Sequence, residues 1–144
     1  MNYVGDASVF VSAAQTKDVH YADSVAFFRQ LGATPDVNVF YPTLLLPEYA
    51  ASIARRTDYT SLAESLIEIL ETMRGLRLES LTENRSRRAA KIAAQHRLRG
   101  ADAVYVALAE ETKAILITWD HEMLERSDSI VQTSTPDQWL NEQK

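Results

Sequence analysis

Short apolar runs alternate with amphipathic helical stretches along almost the whole of this chain. Strands separated by helices cannot close into hairpins, so the alternation confines the chain to an α/β fold: an open, mostly parallel sheet with helices on both faces. Asn2–Asp6 reads as the first strand, with Ser8 placed to cap a helix from about Val9 to Gln15. A second helix is expected over about Tyr21–Leu31, with Val25, Phe28 and Leu31 on one face, broken by Gly32 and Pro35. Asn38–Tyr41 is the second strand, ended by Pro42, and Thr43 the expected cap of a helix that carries Pro47 at its fourth position. Ser61-Leu62-Ala63-Glu64 has the capping-box pattern. It predicts a helix with Leu62, Leu66, Ile69, Leu70 and Met73 on its inner face, closed by Gly75. Leu76–Leu81 alternates as a strand should, Thr82 caps a helix that stops near Gly100, and Ala101-Asp102 opens another to about Thr112. Ala114–Thr118 is continuously apolar, as a parallel strand buried on both faces requires. Ile130–Gln132 is the expected last strand, before a helix that starts at Thr135-Pro136-Asp137.

Residues 1–144 fit one domain, and a chain of that length buries roughly two-thirds of its unfolded surface. No internal repeat, low-complexity tract or linker interrupts it. With no cysteine there is no disulfide, thiolate nucleophile or Cys-ligated zinc. The opening MNYVGDASVFVS lacks a basic leader and a cleavage signal, and no apolar run approaches a membrane span. A cytoplasmic setting without membrane partners is therefore expected. A net charge of −5 argues against bulk electrostatic coating of nucleic acid. It leaves room for a nuclease, since bound cations neutralise an acidic site and local arginines supply phosphate contacts.

Four carboxylates interrupt otherwise apolar stretches: Asp6 in YVGDASVFV, Glu48 in LLLPEYAAS, Asp102 in GADAVYVALA and Asp120 in AILITWD. Acids are seldom placed among core-building residues unless paired, hydrogen-bonded or bound to metal. Asp6 closes the first strand and Asp120 follows the Ala114–Thr118 strand, at the carboxyl edge where such sheets bind ligands. Asp102 sits at a helix N-terminus, which favours an anion. Each acid alone has an ordinary explanation, as a strand end, a cap, a turn or a solvated helix residue; their coincidence at one edge favours an acidic pocket. Oxygen-only donors suit Mg²⁺ or Mn²⁺, and clustered carboxylates should have raised pKa values. Competing chemistries lack their parts. No GxSxG, GxGxxG or GKS/T motif is present, and His121-Glu122 is not a zinc motif because Glu125 occupies the second histidine position. His20, His96 and His121 read as surface residues.

Asp6-Ala7-Ser8 after a first strand, Glu48 in LLPEYAASIARR, Asp102 in LRGADAVYVALA and Asp120 in ILITWD resemble, in order and over essentially the whole chain, the PIN-domain nucleases. The resemblance is strongest to the VapC-type toxins of bacterial and archaeal toxin–antitoxin pairs. Gly5 departs from it, since the family usually has an apolar residue before its first Asp. The resemblance implies a Mg²⁺- or Mn²⁺-dependent endoribonuclease that leaves a 5′-phosphate and a 3′-hydroxyl. It also implies a homodimer and a VapB-type antitoxin that masks the site. By position, Asp6, Glu48, Asp102 and Asp120 become the metal-site acids, with Asp120 a direct ligand or acting through water, and Ser8 and Thr118 the supporting hydroxyls.

Arg85, Arg87, Arg88, Lys91, Arg97 and Arg99 crowd one helical stretch, and Arg55 and Arg56 follow Glu48. A solvated helix face, a phosphate track for RNA and a surface for an acidic antitoxin all fit this pattern. Trp119 is placed to stack a nucleotide. Three other functions stay open: a PIN nuclease of RNA processing without an antitoxin, a phosphoacceptor signalling domain and a non-catalytic binding module. The signalling domain needs an Asp pair after its first strand and a Lys after its last, and neither is evident.

Overall fold

The computed structural model describes residues 1–144. Its elements run β1 (Asn2–Gly5), α1 (Ala7–Ala13), α2 (Tyr21–Ala33), β2 (Asn38–Pro42), α3 (Leu45–Thr57), α4 (Thr60–Thr72), β3 (Leu76–Glu79), α5 (Glu83–His96), α6 (Gly100–Thr112), β4 (Ile115–Ile117), α7 (His121–Ser127), β5 (Thr133–Ser134) and α8 (Pro136–Glu142). The five strands form one sheet in the order β3-β2-β1-β4-β5. Every pairing is parallel, with Val4 opposite both Phe40 and Leu116.

That order decides where the helices go. The chain steps from β1 to β2 to β3 in one direction, then returns across β1 to β4 and β5. Right-handed crossovers therefore put α1–α4 on one face and α5–α7 on the other. Packing agrees: α6 lies against β1, β2 and β4 with α5 outside it, while α1 packs on α2 and α3. The direction reverses between β1 and β4, so their carboxyl ends open a crevice that no crossover fills. The strands lining it carry core residues, Val4, Leu116 and Ile117, that have no solvent exposure.

Several caps form as expected. Thr82 accepts from Arg85 N at the head of α5, and Thr135 makes a full capping box with Gln138 at α8. Others do not. Ser8 lies inside α1, whose N-cap is Asp6; Thr43 leaves the N-cap of α3 to Leu44 and accepts instead from Leu81 N, tying β2 to the end of β3. Ser61 is likewise a helical residue, because α4 starts one residue earlier after Tyr59. Gly32 continues α2, which ends two residues before Pro35. The last strand is Thr133–Ser134, since Ile130 and Val131 turn back to Ser127 O and Leu116 N meets Gln132 O. Gly75, at φ +86, makes the turn from α4 into β3 that a side chain would strain.

The inner face of α4 is narrower than its apolar pattern suggests. Ala63 and Leu70 are buried, whereas Leu62, Ile69 and Met73 are 40%, 54% and 43% exposed. The helix presents one stripe to α3 and β3, and a second apolar stripe points outward.

The departure at Gly5 has a packing cause. A Cβ there would lie 3.0 Å from Phe10 Cε2, so the aromatic ring of α1 occupies the space that a side chain would take. Gly5→Val should cost about 1–3 kcal/mol by overpacking. The check is the melting temperature, which should fall in Gly5→Val and partly recover in Gly5→Val/Phe10→Leu; an unchanged value in the single variant would contradict this packing.

Candidate active site at the β1–β4 crevice

Asp6 stands where β1 ends. Its N–H donates to Ile117 O at 3.1 Å, extending the β1–β4 ladder one step beyond the Gly5–Ile117 pair. The carboxylate, 5% exposed, accepts from Ser8 Oγ at 2.5 Å. Ser8 Oγ also accepts from Trp119 N at 3.1 Å, so one hydroxyl ties the β1–α1 turn to the segment after β4. Thr118, fully buried, accepts from Asp120 N at 3.0 Å and donates to Met123 Sδ at 3.8 Å; its hydroxyl lies near enough to Asp6 to favour the ionised carboxylate.

The other acids come from two helices and a turn. Asp102 is the third residue of α6, half-buried in its first turn behind the N-cap Arg99. Glu48 is the fourth residue of α3, one past Pro47. Asp120 caps α7, with Oδ1 accepting from Met123 N at 3.0 Å; its second oxygen is left to a cation or water. Sequence reasoning missed Tyr105, whose buried hydroxyl donates to Glu48 Oε1 at 2.9 Å. It lies three residues after Asp102 on the same helix face, a spacing that was available as a signal.

Burial raises the Asp6 carboxyl to about 7; the Ser8 and Thr118 hydroxyls pull it down, and the charge of Asp102 pushes it up. Burial also lifts Asp102 to about 6, reinforced by Asp120, Glu48 and Glu122 and opposed by Arg99. Glu48 is raised by burial and eased down by Tyr105. Tyr105 itself is raised by burial and by Glu48, Asp6 and Asp102, so its phenol stays a donor. Asp6, Glu48 and Asp120, from distant segments, are thus each coupled electrostatically to Asp102, as like charges sharing a crevice must be.

A hard divalent cation fits this donor set, which is all oxygen and short of compensating positive charge. No three of the acids close on one point tightly enough to hold an ion together. Mg²⁺ commonly takes one or two carboxylates and keeps waters in its other positions. The best-supported carboxylate donors are Asp6 and Asp102, with Glu48 and Asp120 at the margin.

The basic residues divide. Arg85 pairs with Glu79 at 2.9 Å and with Glu111 at 2.8 Å, and Arg88 reaches Glu110 at 2.6 Å. These pairs clamp α5 onto α6 and to the end of β3, and phosphate would have to displace a carboxylate to reach them. Arg97 ends α5 in a left-handed conformation, and its carbonyl accepts from Arg126. Arg99 is exposed, and its charge bears on Asp102. Trp119 is partly buried, its indole N–H donating to Ser24 Oγ at 2.8 Å. His20 is half-buried against it rather than on the open surface, with ring centroids 3.8 Å apart.

Desolvated carboxylates at the switch point of a parallel sheet stand where such sheets bind ligands. The PIN domain profile matches residues 3–128, and the chain belongs to the PIN-domain family, whose members are nucleases that generally use divalent metal ions. No curated protein matches the sequence. Among solved structures, the VapBC2 complex of Rickettsia felis bound to a promoter DNA fragment superposes with a TM-score of 0.73 at 12% identity, covering 94% of this chain and 98% of that one. VapC20 of Mycobacterium tuberculosis, a toxin that cleaves the sarcin–ricin loop, gives 0.71 at 16% identity over 85% and 93%. VapBC-1 of nontypeable Haemophilus influenzae gives 0.69 at 17% over 95% and 99%. At these identities the likeness is one of fold. No helix is long and apolar enough to cross a membrane.

The raised acids make metal-free stability depend on pH. Because folded Asp6 titrates near 7 and Asp102 near 6, above the ordinary 3.8, the folded state binds more protons between those limits. Their contribution is complete below about pH 3.8 and is lost as pH rises through 6 to 7. In EDTA the melting temperature of Asp6→Asn relative to wild type should climb from pH 5 to pH 7.5. A constant difference across that range would contradict the burial of an ionisable group there.

Proposed function

We propose that this protein is a Mg²⁺- or Mn²⁺-dependent endoribonuclease, the toxin of a VapBC-type toxin–antitoxin pair, acting as one domain over residues 1–144. The observation that carries the reading is the desolvated pair Asp6 and Asp102, each held at a raised pKa where β1 and β4 part. Membership of a nuclease family supports it.

Asp6 and Asp102 would hold the cation, with Glu48 and Asp120 beside it directly or through water. When bound, such an ion lowers the pKa of water and offsets charge on the phosphate. The chain's own groups prepare that chemistry. Ser8 and Thr118 orient the Asp6 carboxylate, Tyr105 fixes Glu48, and Asp102 stands at the N-terminus of α6, where the free N–H groups also favour an anionic phosphate. Near neutral pH Asp6 carries a proton part of the time, so cation binding should release protons.

Partners follow from the apolar surface. The exposed Leu62 and Ile69 on α4, with Met73 just after it, support a homodimer or a complex, since exposed apolar stripes commonly mark interfaces. Beside it a cleft of about 230 Å³ is lined only by apolar residues, among them Phe10, Phe28, Tyr49, Leu66 and Leu70. It suits the apolar face of a VapB-type antitoxin helix. A cytoplasmic setting accords with the absence of cysteine. The RNA-processing alternative differs only in lacking the antitoxin.

Purified protein should cleave RNA with Mg²⁺ or Mn²⁺ and stop in EDTA. Asp6→Asn and Asp102→Asn should each lose cleavage by at least ~10²-fold while keeping the fold, whereas Glu64→Gln, on the exposed side of α4, should not. Near-normal cleavage in either Asn variant would remove these acids from the mechanism. Mn²⁺ at about 100 times its Kd should stabilise the wild type by ~2–3 kcal/mol and the Asp6→Asn variant far less. An equal rise in melting temperature for both would place the ion elsewhere.

A further inference from the structure

The crevice continues past the acids into a cavity of about 270 Å³ whose lining includes Ser8, His20, Glu48, Ser52, Arg56 and Trp119. Its character differs from that of the acid cluster. His20 and Trp119 form a near-parallel stack, 11° between planes. Trp119 cannot swing out to meet a ligand, because its indole N–H is bonded to Ser24, itself fully buried and joined to Ser12 at 2.7 Å. His20 covers the indole, so the histidine, and not the tryptophan, is the ring a ligand meets first.

The platform is held in place before any ligand arrives. Asp18 Oδ1 accepts from His20 N at 2.8 Å, and Asp18 Oδ2 lies 3.4 Å from Arg56 Nη1, pinning the loop before α2 to α3. Arg56 is still 51% exposed at the cavity rim. Ser8 links the two regions directly, touching Asp6 on one side and Trp119 N on the other. Glu48 lines the same cavity, so an acid of the site and the ring pair share one wall.

We propose that the His20–Trp119 stack is a nucleobase-binding subsite: His20 is a positioning residue that stacks the base next to the scissile phosphate of single-stranded RNA, while Arg56 meets the backbone. This rests on the endoribonuclease reading and adds to it the part of the substrate that is gripped. Stacking tolerates any base, so the subsite orients the strand more than it reads sequence.

The test measures binding by the full chain in EDTA, where nothing is cut, using fluorescein-labelled single-stranded RNA and an abasic ribose-phosphate oligomer of equal length. His20→Asn removes the ring but keeps a good N-cap for α2, and His20→Phe keeps a ring. The wild type should bind RNA about tenfold more tightly than the abasic probe; His20→Asn should lose about that factor for RNA alone, and His20→Phe should restore it. In Mn²⁺ the loss should fall on KM and leave kcat nearly unchanged. Equal binding of both probes by the wild type, no binding of either, an equal loss for both in His20→Asn, or a failure of His20→Phe to restore RNA binding would each overturn the subsite. Because the binding arm needs no cleavage, a chain that stacks RNA but does not cut it would overturn the nuclease reading alone.

Discussion

Keeping an ionisable carboxylate out of water at the end of β1 is the requirement on which the architecture around the crevice turns. An isolated buried charge is costly, and the cost falls only when hydrogen-bond donors are fixed around it. For Asp6 the donor is the Ser8 hydroxyl, with the Thr118 hydroxyl close by from the other side of the switch point. The bond from Trp119 N to Ser8 spans 111 positions of sequence, so the acid is oriented only once β1 and β4 are in register. Local sequence cannot create the site; the sheet must close first.

Topology then supplies the rest. Because the chain reverses direction across β1, helices on both faces deliver their ends to one crevice: α3 brings Glu48 from one side and α6 brings Asp102 and Tyr105 from the other. Tyr105 sets the state of Glu48 in this arrangement. Flanked by three acids, its phenol keeps its proton and donates it to Glu48, favouring the ionised carboxylate there. A carboxamide could donate similarly, but a phenol also fills the core beneath the acids, where Tyr105 is almost wholly buried.

Much of this was legible beforehand because hydrophobic periodicity and interrupted apolar runs report burial directly. Asp6, Glu48, Asp102 and Asp120 stood out as acids among core residues, and in the structure Asp6, Asp120 and Glu48 each bear electrostatically on Asp102. Capping was read less well, for a definite reason. Ser8 and Thr43 have the right chemistry for caps, but each hydroxyl is taken by a backbone N–H from a distant segment, a competition invisible in a window of a few residues. The outward stripe of α4 was misread as core because periodicity shows that a face is apolar, not what it meets. Tyr105 escaped notice since aromatic rings are ordinary core material, and His20 was read as a surface residue; only a partner's position makes either a functional candidate.

The basic helix α5 shows how sequence counts of charge mislead. Its arginines look like a phosphate track, yet Arg85 and Arg88 meet Glu79, Glu110 and Glu111 and Arg87 meets Glu83, which leaves Lys91 as the cation of the helix outside an ion pair. Around the crevice the balance is negative, with Arg99 opposing the acids near Asp102 and Arg56 already beside Asp18. An RNA phosphate approaching such a surface would be repelled at long range. On the proposed reading, attraction would come from close-range features: a divalent cation that reverses the sign of the crevice, helix N–H groups, and an aromatic face that binds a base without regard to charge. The proposed cation and the proposed stacking platform are in this sense two answers to the same electrostatic difficulty.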